Sequence, residues 1–212
     1  MTDAEAFIRA NTAIARDPFV PEIALHLATE ITPIWQATET WLERANIAPP
    51  FWAFAWPGGK LLARHALDNP ALARGKHVLD FAAGCGIAAI AAAMAGARAD
   101  AAEIDPMADA AIRLNARLNG VAVNVPGDVV GTDAGWDVIL AGDVCYEAPM
   151  TRHILPWLRG LARRGATVLV ADPGRAYLPK AGMVALASRA IATTRELEDS
   201  TERVVTLYRL EA

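Results

Sequence analysis

From Lys76 onward, short apolar runs alternate with segments of helix length, the pattern of a parallel sheet wrapped by helices. His77-Val78-Leu79-Asp80-Phe81 predicts a first strand. A turn of small residues and an alanine-rich helix over 87–95 follow it, with Gly96 placed as the cap. A second strand is expected over 98–104. Pro106, whose fixed φ and missing N–H suit the first position of a helix, opens one that runs to about Asn119 and is closed by Gly120. Short β-branched runs over 121–125 and 136–141 predict the third and fourth strands, and 166–171 a fifth that ends at Asp172-Pro173-Gly174. The last two runs, 192–197 and 203–210, are joined by a polar turn with no room for a helix. They are expected to pair antiparallel, because a parallel crossover needs about a dozen residues. The sum is an α/β fold over 76–212: an open, doubly wound, mostly parallel sheet of seven strands with one antiparallel strand.

Residues 1–75 read mainly as helices with a proline- and tryptophan-rich stretch from Pro49 to Gly59. They are too few for an independent domain with a large core, so this N-terminal extension is expected to pack on the sheet, over the site. A length of 212 residues suits one such domain. Although 54% of residues are hydrophobic, no run approaches the roughly 20 apolar residues of a membrane span. A net charge of −4 supplies no global positive field for a phosphate backbone, which makes nucleic acid a poor partner. The two cysteines, Cys85 and Cys145, form no Cys-x-x-Cys pair and the four histidines are scattered, so neither disulfides nor a metal is expected. Acids in Met1-Thr2-Asp3-Ala4-Glu5, where a secretory signal would carry lysines, point to a cytoplasmic protein.

The sharpest local chemistry lies in Val78-Leu79-Asp80-Phe81-Ala82-Ala83-Gly84-Cys85-Gly86, which leads straight into a helix. Small residues after a strand let the backbone approach a ligand, and the helix start offers unpaired N–H groups. Glu103, at the end of the next strand, can accept both hydroxyls of a ribose. A plain tight turn and an exposed strand-end acid are the competing readings of these two features. A dinucleotide fingerprint needs Gly-x-Gly-x-x-Gly, whereas here the spacing is Ala82-x-Gly84-x-Gly86 behind Asp80. This Asp-led version resembles motif I of the seven-β-strand methyltransferases, with Ala82 where the family has its first glycine. The resemblance implies S-adenosylmethionine as cofactor and S-adenosylhomocysteine as product. It implies that Asp80, Phe81, Ala82, Gly84 and Gly86 surround the methionine part, that Glu103 takes the ribose, and that Ile104 lies against adenine. Asp128 and Val129, after the third strand, would then meet the adenine amino group. Taken alone, Asp128 reads equally as a turn residue stabilising its own backbone.

Methyltransferases that modify planar nitrogens end the fourth strand in Asn-Pro-Pro or Asp-Pro-Pro and an aromatic residue. This chain has Gly142-Asp143-Val144-Cys145-Tyr146-Glu147, which resembles the Asp-x-x-Tyr motif of protein lysine methyltransferases. The resemblance implies catalytic, cofactor-binding and substrate-binding roles for Asp143, holding an ammonium beside the cofactor, and catalytic and substrate-binding roles for Tyr146, walling its alkyl stem. Pro50 to Gly59, Leu67-Asp68-Asn69-Pro70, Arg74-Gly75-Lys76 and Asp172-Pro173-Gly174-Arg175 extend the match to nearly the whole chain. Together they are similar to the electron-transfer flavoprotein β-subunit lysine methyltransferases. That family implies the flavoprotein β subunit as protein partner, Trp56 near the cofactor and Trp52 near the substrate mouth; the protein is expected to be a monomer. The alternatives are a ribosomal-protein methyltransferase, since 78–121 also resembles the enzyme acting on ribosomal protein L11, a small-amine methyltransferase, and a non-catalytic binding module on the same scaffold.

Overall fold

The computed structural model describes residues 3–28 and 49–212, so the mainly helical reading of 29–48 lies outside the described residues. The central strand β3 (His77–Phe81) is buried along its whole length, as a strand covered on both faces must be. β4 (Arg98–Ala102) and β5 (Val123–Asn124) lie on one side of it, β6 (Val138–Gly142) and β7 (Thr167–Asp172) on the other, all parallel. β9 (Glu202–Leu210) runs antiparallel to both β7 and the edge strand β8 (Met183–Ala192), giving the order β5-β4-β3-β6-β7-β9-β8. The expected seven-stranded, mostly parallel sheet with one antiparallel strand is present.

Register decides where the site falls. Phe81 pairs with Ala102 and Ala141, and Gly142 with Ala171, so the next residues along the chain, Ala82, Glu103, Asp143 and Asp172, share one rim of the sheet. The chain runs from β3 outward to β5 and then returns to β6 on β3's other side. That reversal opens a crevice at the carboxyl ends of β3 and β6, where open α/β sheets bind ligands.

Helices cover both faces. α2 (Pro57–Asp68) and α3 (Ile87–Met94) press on Val78, Leu140, Leu169 and Leu207. α5 (Ala148–Arg163) covers Phe81, Ile139, Val168 and Val170 with Ile154, Trp157, Leu158 and Leu161. α4 (Pro106–Leu118) begins as expected at proline, with the Asp105 side chain accepting from Met107 N at 2.8 Å, a side-chain cap of the usual kind. None of the described helices is long and apolar enough to cross a membrane.

The N-terminal region departs from the mainly helical reading by holding a strand pair. After α1 (Asp3–Asn11), β1 (Ala13–Arg16) and β2 (Ala24–Leu27) form an antiparallel hairpin. Asn115 of α4 and Asn119, which caps that helix, bond to β2: Asn115 Oδ1 accepts from His26 N, and Asn119 exchanges bonds with Ala24 N and O. Asn115 also donates to Cys85 O at 2.9 Å, tying hairpin, helix and the loop after β3 together. Ile8, Trp52 and Phe54 pack on Ala108, Ala111 and Leu114 of α4.

The sixth strand also differs. It occupies Met183–Ala192 rather than 192–197, and the end of the run expected as strand forms one helical turn instead, α6 (Arg195–Glu198). The physical reason is visible in Met183-Val184-Ala185-Leu186-Ala187: alanine favours helix over strand, and a register shift between Ala185 and Ala187 breaks the two-residue period by which strands are read.

Candidate active site

A cavity of about 810 Å³ opens along the sheet rim, within the range of about 300–1,000 Å³ typical of small-molecule sites. All the candidate residues contribute to its wall except Gly86. Gly86 stands behind the wall with φ +78, and a Cβ there would meet Ile112 of α4 at 3.1 Å. Its part is to let the loop turn into α3.

One end of the cavity is built from the loop after β3. Ala82, Gly84 and Gly86 all have positive φ, between +54 and +78. The loop amides go to separate acceptors, Ala83 N–H to Ala102 O, Gly84 N–H to Glu103 and Gly86 N–H to Ala83 O. Ala82 carries a Cβ in a conformation that costs a non-glycine residue about 1 kcal/mol, held there by the flanking strand and helix. Asp80, buried at the end of β3, accepts from Ala89 N in the first turn of α3 at 2.8 Å. Burial pushes its carboxyl up to about 8. Glu103 Oε1 accepts from Gly84 N at 2.7 Å, and burial raises this acid too. Asp105 is likewise raised by burial. Ile104 presents an apolar side chain 80% exposed at the rim. Asp128 accepts from Val130 N at 3.0 Å, so the self-stabilising turn is present, and its residue lines the same cavity beside buried Val129.

These features separate two classes of ligand. In a phosphate cradle the loop amides face the anion, whereas here Gly84 N–H is taken by a carboxylate. Asp80, Glu103, Asp105, Asp128, Asp143 and Glu147 line the cavity against Arg175 and His153 as the basic side chains among its described lining residues. Buried acids without cations close by have raised pKa values because their charge is uncompensated. A cationic ligand carrying hydroxyls and a flat apolar ring fits this wall, and S-adenosylmethionine has that chemistry.

The other end is built from residues far apart in the chain. Asp143, itself at φ +57, donates its backbone N–H to Ala171 O. Its Oδ2 accepts from Gly58 N at 2.6 Å, in the first turn of α2, and its Oδ1 pairs with Arg175 Nη2 at 2.9 Å. Burial drives the Asp143 carboxyl up to about 6, against the downward pull of Arg175 and the Gly58 N–H. The approach of α2 requires glycine: a Cβ on Gly58 would lie 2.5 Å from both Ala171 O and Asp143 Oδ2, and one on Gly142 2.7 Å from Gly59 N. Arg175 is presented by a turn in which Asp172 Oδ1 accepts from Gly174 N and Arg175 N. Its guanidinium also meets Glu198 Oε1 at 2.7 Å and lies 6.0 Å from the centre of the Trp56 ring.

Aromatic residues close this end. Phe51 sits 5.8 Å from Trp56 and 6.0 Å from Tyr146, and Trp56 Nε1 donates to Phe51 O. Tyr146 and Phe51 are 44% and 38% exposed, whereas Trp52, expected at the mouth, lines the cavity but is 1% exposed and packs on α1 and α4. Phe51, Arg175 and Glu198 were not singled out from sequence as site residues. The signal for Arg175 was the Asp-Pro-Gly turn before it; Glu198 had none, because its connection reads as a polar turn.

Known proteins match this arrangement over most of the chain. An electron transfer flavoprotein beta subunit lysine methyltransferase of Xenopus laevis is 43% identical over 180 residues, covering 81% of this chain and 70% of that protein. This chain belongs to that family. The protein of the same description from Mus musculus is 41% identical over 180 residues, covering 81% and 68%. The family model for ribosomal protein L11 methyltransferase matches residues 62–145, which span the cofactor end and stop short of Tyr146 and Arg175. Magnesium protoporphyrin IX methyltransferase of Synechocystis, solved with bound S-adenosylhomocysteine, shares the fold: TM-score 0.53 at 14% identity over 85% of this chain and 100% of that one. The chain is an S-adenosylmethionine-dependent methyltransferase of the seven-stranded, Rossmann-like class.

Proposed function

We propose that this protein transfers methyl groups from S-adenosylmethionine to lysine side chains of the electron-transfer flavoprotein β subunit. The observation that carries the reading is the position of Asp143: a buried carboxylate at the end of β6, on the same rim as Glu103 and walled by Phe51, Trp56 and Tyr146. The names of the relatives support the acceptor.

Glu103 is assigned to the ribose hydroxyls, Ile104 and Val129 to the faces of adenine, and Asp128 to its amino group. Phe81, Ala82 and Gly84 bring the strand end and loop against the methionine part, while Asp80 holds the start of α3 through Ala89 N. Trp56 forms the partition between the two ends. When bound, the cofactor supplies a methyl carbon on a cationic sulfur, and the C–N bond forms as the C–S bond breaks, leaving S-adenosylhomocysteine.

The protein's own task is to present a nitrogen lone pair. A lysine with a reference pKa near 10.4 is neutral in only about one molecule in a thousand near neutral pH, a handicap of roughly 4 kcal/mol. Phe51 and Tyr146 strip water from the alkyl stem, which disfavours the ammonium. Asp143 accepts an N–H and fixes the direction of the lone pair, and the proton leaves to water as the site closes. Alignment then supplies much of the acceleration.

Mass spectrometry of the flavoprotein β subunit, incubated with this protein and S-adenosylmethionine, tests the proposal. Methylated lysines are the expected result. A subunit left unmodified while a ribosomal protein or a small amine in the same extract takes the methyl group would contradict it.

A further inference from the structure

The acceptor end already contains a cation. Arg175 is the arginine or lysine found among the described residues lining the cavity, and its Nη2 holds the carboxylate assigned to the substrate. A bare Asp143 would work against the reaction, because an opposite charge within about 4–6 Å favours the charged form of an amine, typically by about 1–3 pKa units. Lysine bound that way would stay an ammonium without a lone pair.

Arg175 is held too firmly to be a stray surface contact. Its backbone is fixed by Asp172, its guanidinium bridges Asp143 and Glu198, and Trp56 lies beside it. Glu198 is in turn shared with Arg203, whose Nε lies 3.3 Å from Oε2 and whose Nη2 donates to Glu198 O at 2.6 Å. Two arginines therefore face Asp143 and Glu198, with Asp172, which accepts from the Gly174 and Arg175 backbone N–H groups, as a third acid beside them. Gly58 N–H adds the positive end of α2 to Asp143. A carboxylate offers about four lone-pair sites, so Asp143 retains room for one more N–H after these two partners.

Building on the lysine-methylation reading, we propose that Arg175 is a positioning residue that acts through Asp143: it keeps the carboxylate charge-compensated, so that the incoming lysine is received as a neutral amine. Guanidinium does not deprotonate in proteins. When two cations compete for one carboxylate, the lysine is the one that releases its proton, to water, and its lone pair then forms the C–N bond. The other ionisable groups facing this centre are Asp172 from β7, Glu198 from α6 with Arg203 from β9, Cys145, Tyr146 and Glu147 after β6, and Glu103 from β4. α2 contributes only backbone there, its Lys60 being paired with Asp17.

The test is the pH profile of kcat/KM for methylation of the flavoprotein β subunit at saturating S-adenosylmethionine, with cofactor affinity measured by calorimetry. In Arg175→Gln the limb that reports lysine deprotonation should move to higher pH by about one to two units, the effect of removing a unit charge a few ångströms away. Its rate near neutral pH should fall about tenfold or more and recover in alkali, with cofactor affinity unchanged. Arg175→Lys should keep the limb near its original position. Glu198→Gln leaves the guanidinium less compensated and should move the limb to lower pH, which decides the matter even if Arg175→Gln does not fold. Coincident limbs, with rates reduced equally at every pH, would overturn the role of Arg175 while leaving the methyltransferase reading intact. A wild-type protein that methylates no lysine of the subunit overturns both.

Discussion

The two ends of the cavity hold their carboxylates by different means. At the cofactor end Asp80, Asp105 and Asp128 each accept a backbone N–H from within nine residues, Ala89, Met107 and Val130, and Glu103 accepts one from Gly84, 19 residues away on the loop after the neighbouring strand. At the acceptor end Asp143 is held by Gly58, 85 residues away, and by Arg175, 32 residues away. The electrical consequence is visible in two buried acids. Burial takes Asp80 to about 8, whereas Asp143 reaches only about 6 because Arg175 and the Gly58 N–H pull it back. Local capping gives one end its shape, and remote ion pairing gives the other its charge.

That contrast can be broken most sharply at Asp143. Asp143→Asn should lower methyl transfer about a hundredfold or more, the scale of losing a well-placed orienting group, while leaving S-adenosylmethionine affinity nearly unchanged. Near-wild-type turnover across pH would remove the acceptor end from the chemistry. Gly58→Ala forces a Cβ to within 2.5 Å of two oxygens, so α2 must back away from β6. A loss of about 2–3 kcal/mol, the usual scale of overpacking, is expected in urea unfolding, together with loss of the Asp143 contact. An unperturbed midpoint would mean that α2 does not anchor this end.

The cofactor end answers to smaller changes. Glu103→Gln keeps the shape but removes the charge from the acceptor of ribose hydroxyls, and should weaken S-adenosylmethionine about tenfold by calorimetry, given the usual premium of charge-assisted bonds. Unchanged affinity would detach Glu103 from the ribose. Asp80→Asn sharpens the electrostatic side of the comparison. Its folded-state carboxyl is raised from 3.8 to about 8, so between these values the native chain binds a proton that the unfolded chain has released. This contribution to stability is present at low pH and declines as pH rises toward about 8. Asparagine does not titrate. The variant should therefore gain on the wild type as pH increases, by on the order of 1 kcal/mol between neutral and mildly alkaline solution; parallel melting curves at all pH values would contradict the burial argument.

The same contrast explains what could be read from the chain alone. His77–Phe81, the loop to Gly86, the helix after it and Glu103 are local patterns, and their elements fall within a few residues of where the apolar spacing puts them. The function of Asp143 as the meeting point of Gly58, Arg175 and the cavity mouth depends on contacts across the sheet, which no local period records. Trp52 illustrates the limit: in sequence it is indistinguishable from Phe51, one residue away, yet one is buried in the packing of α1 and α4 and the other stands beside Tyr146. Alanine-rich β8 and the hairpin of β1 and β2 were missed for a related reason, since their strand character comes from the partners they pair with rather than from their own alternation.

A crystal structure with bound S-adenosylhomocysteine bears most directly on the division of the cavity. The ribose hydroxyls are expected on Glu103, adenine between Ile104 and Val129, and the sulfur facing the pocket bounded by Asp143 and Tyr146. Ribose lodged away from Glu103, or a sulfur turned from the end of β6, would contradict the assignment of the two ends.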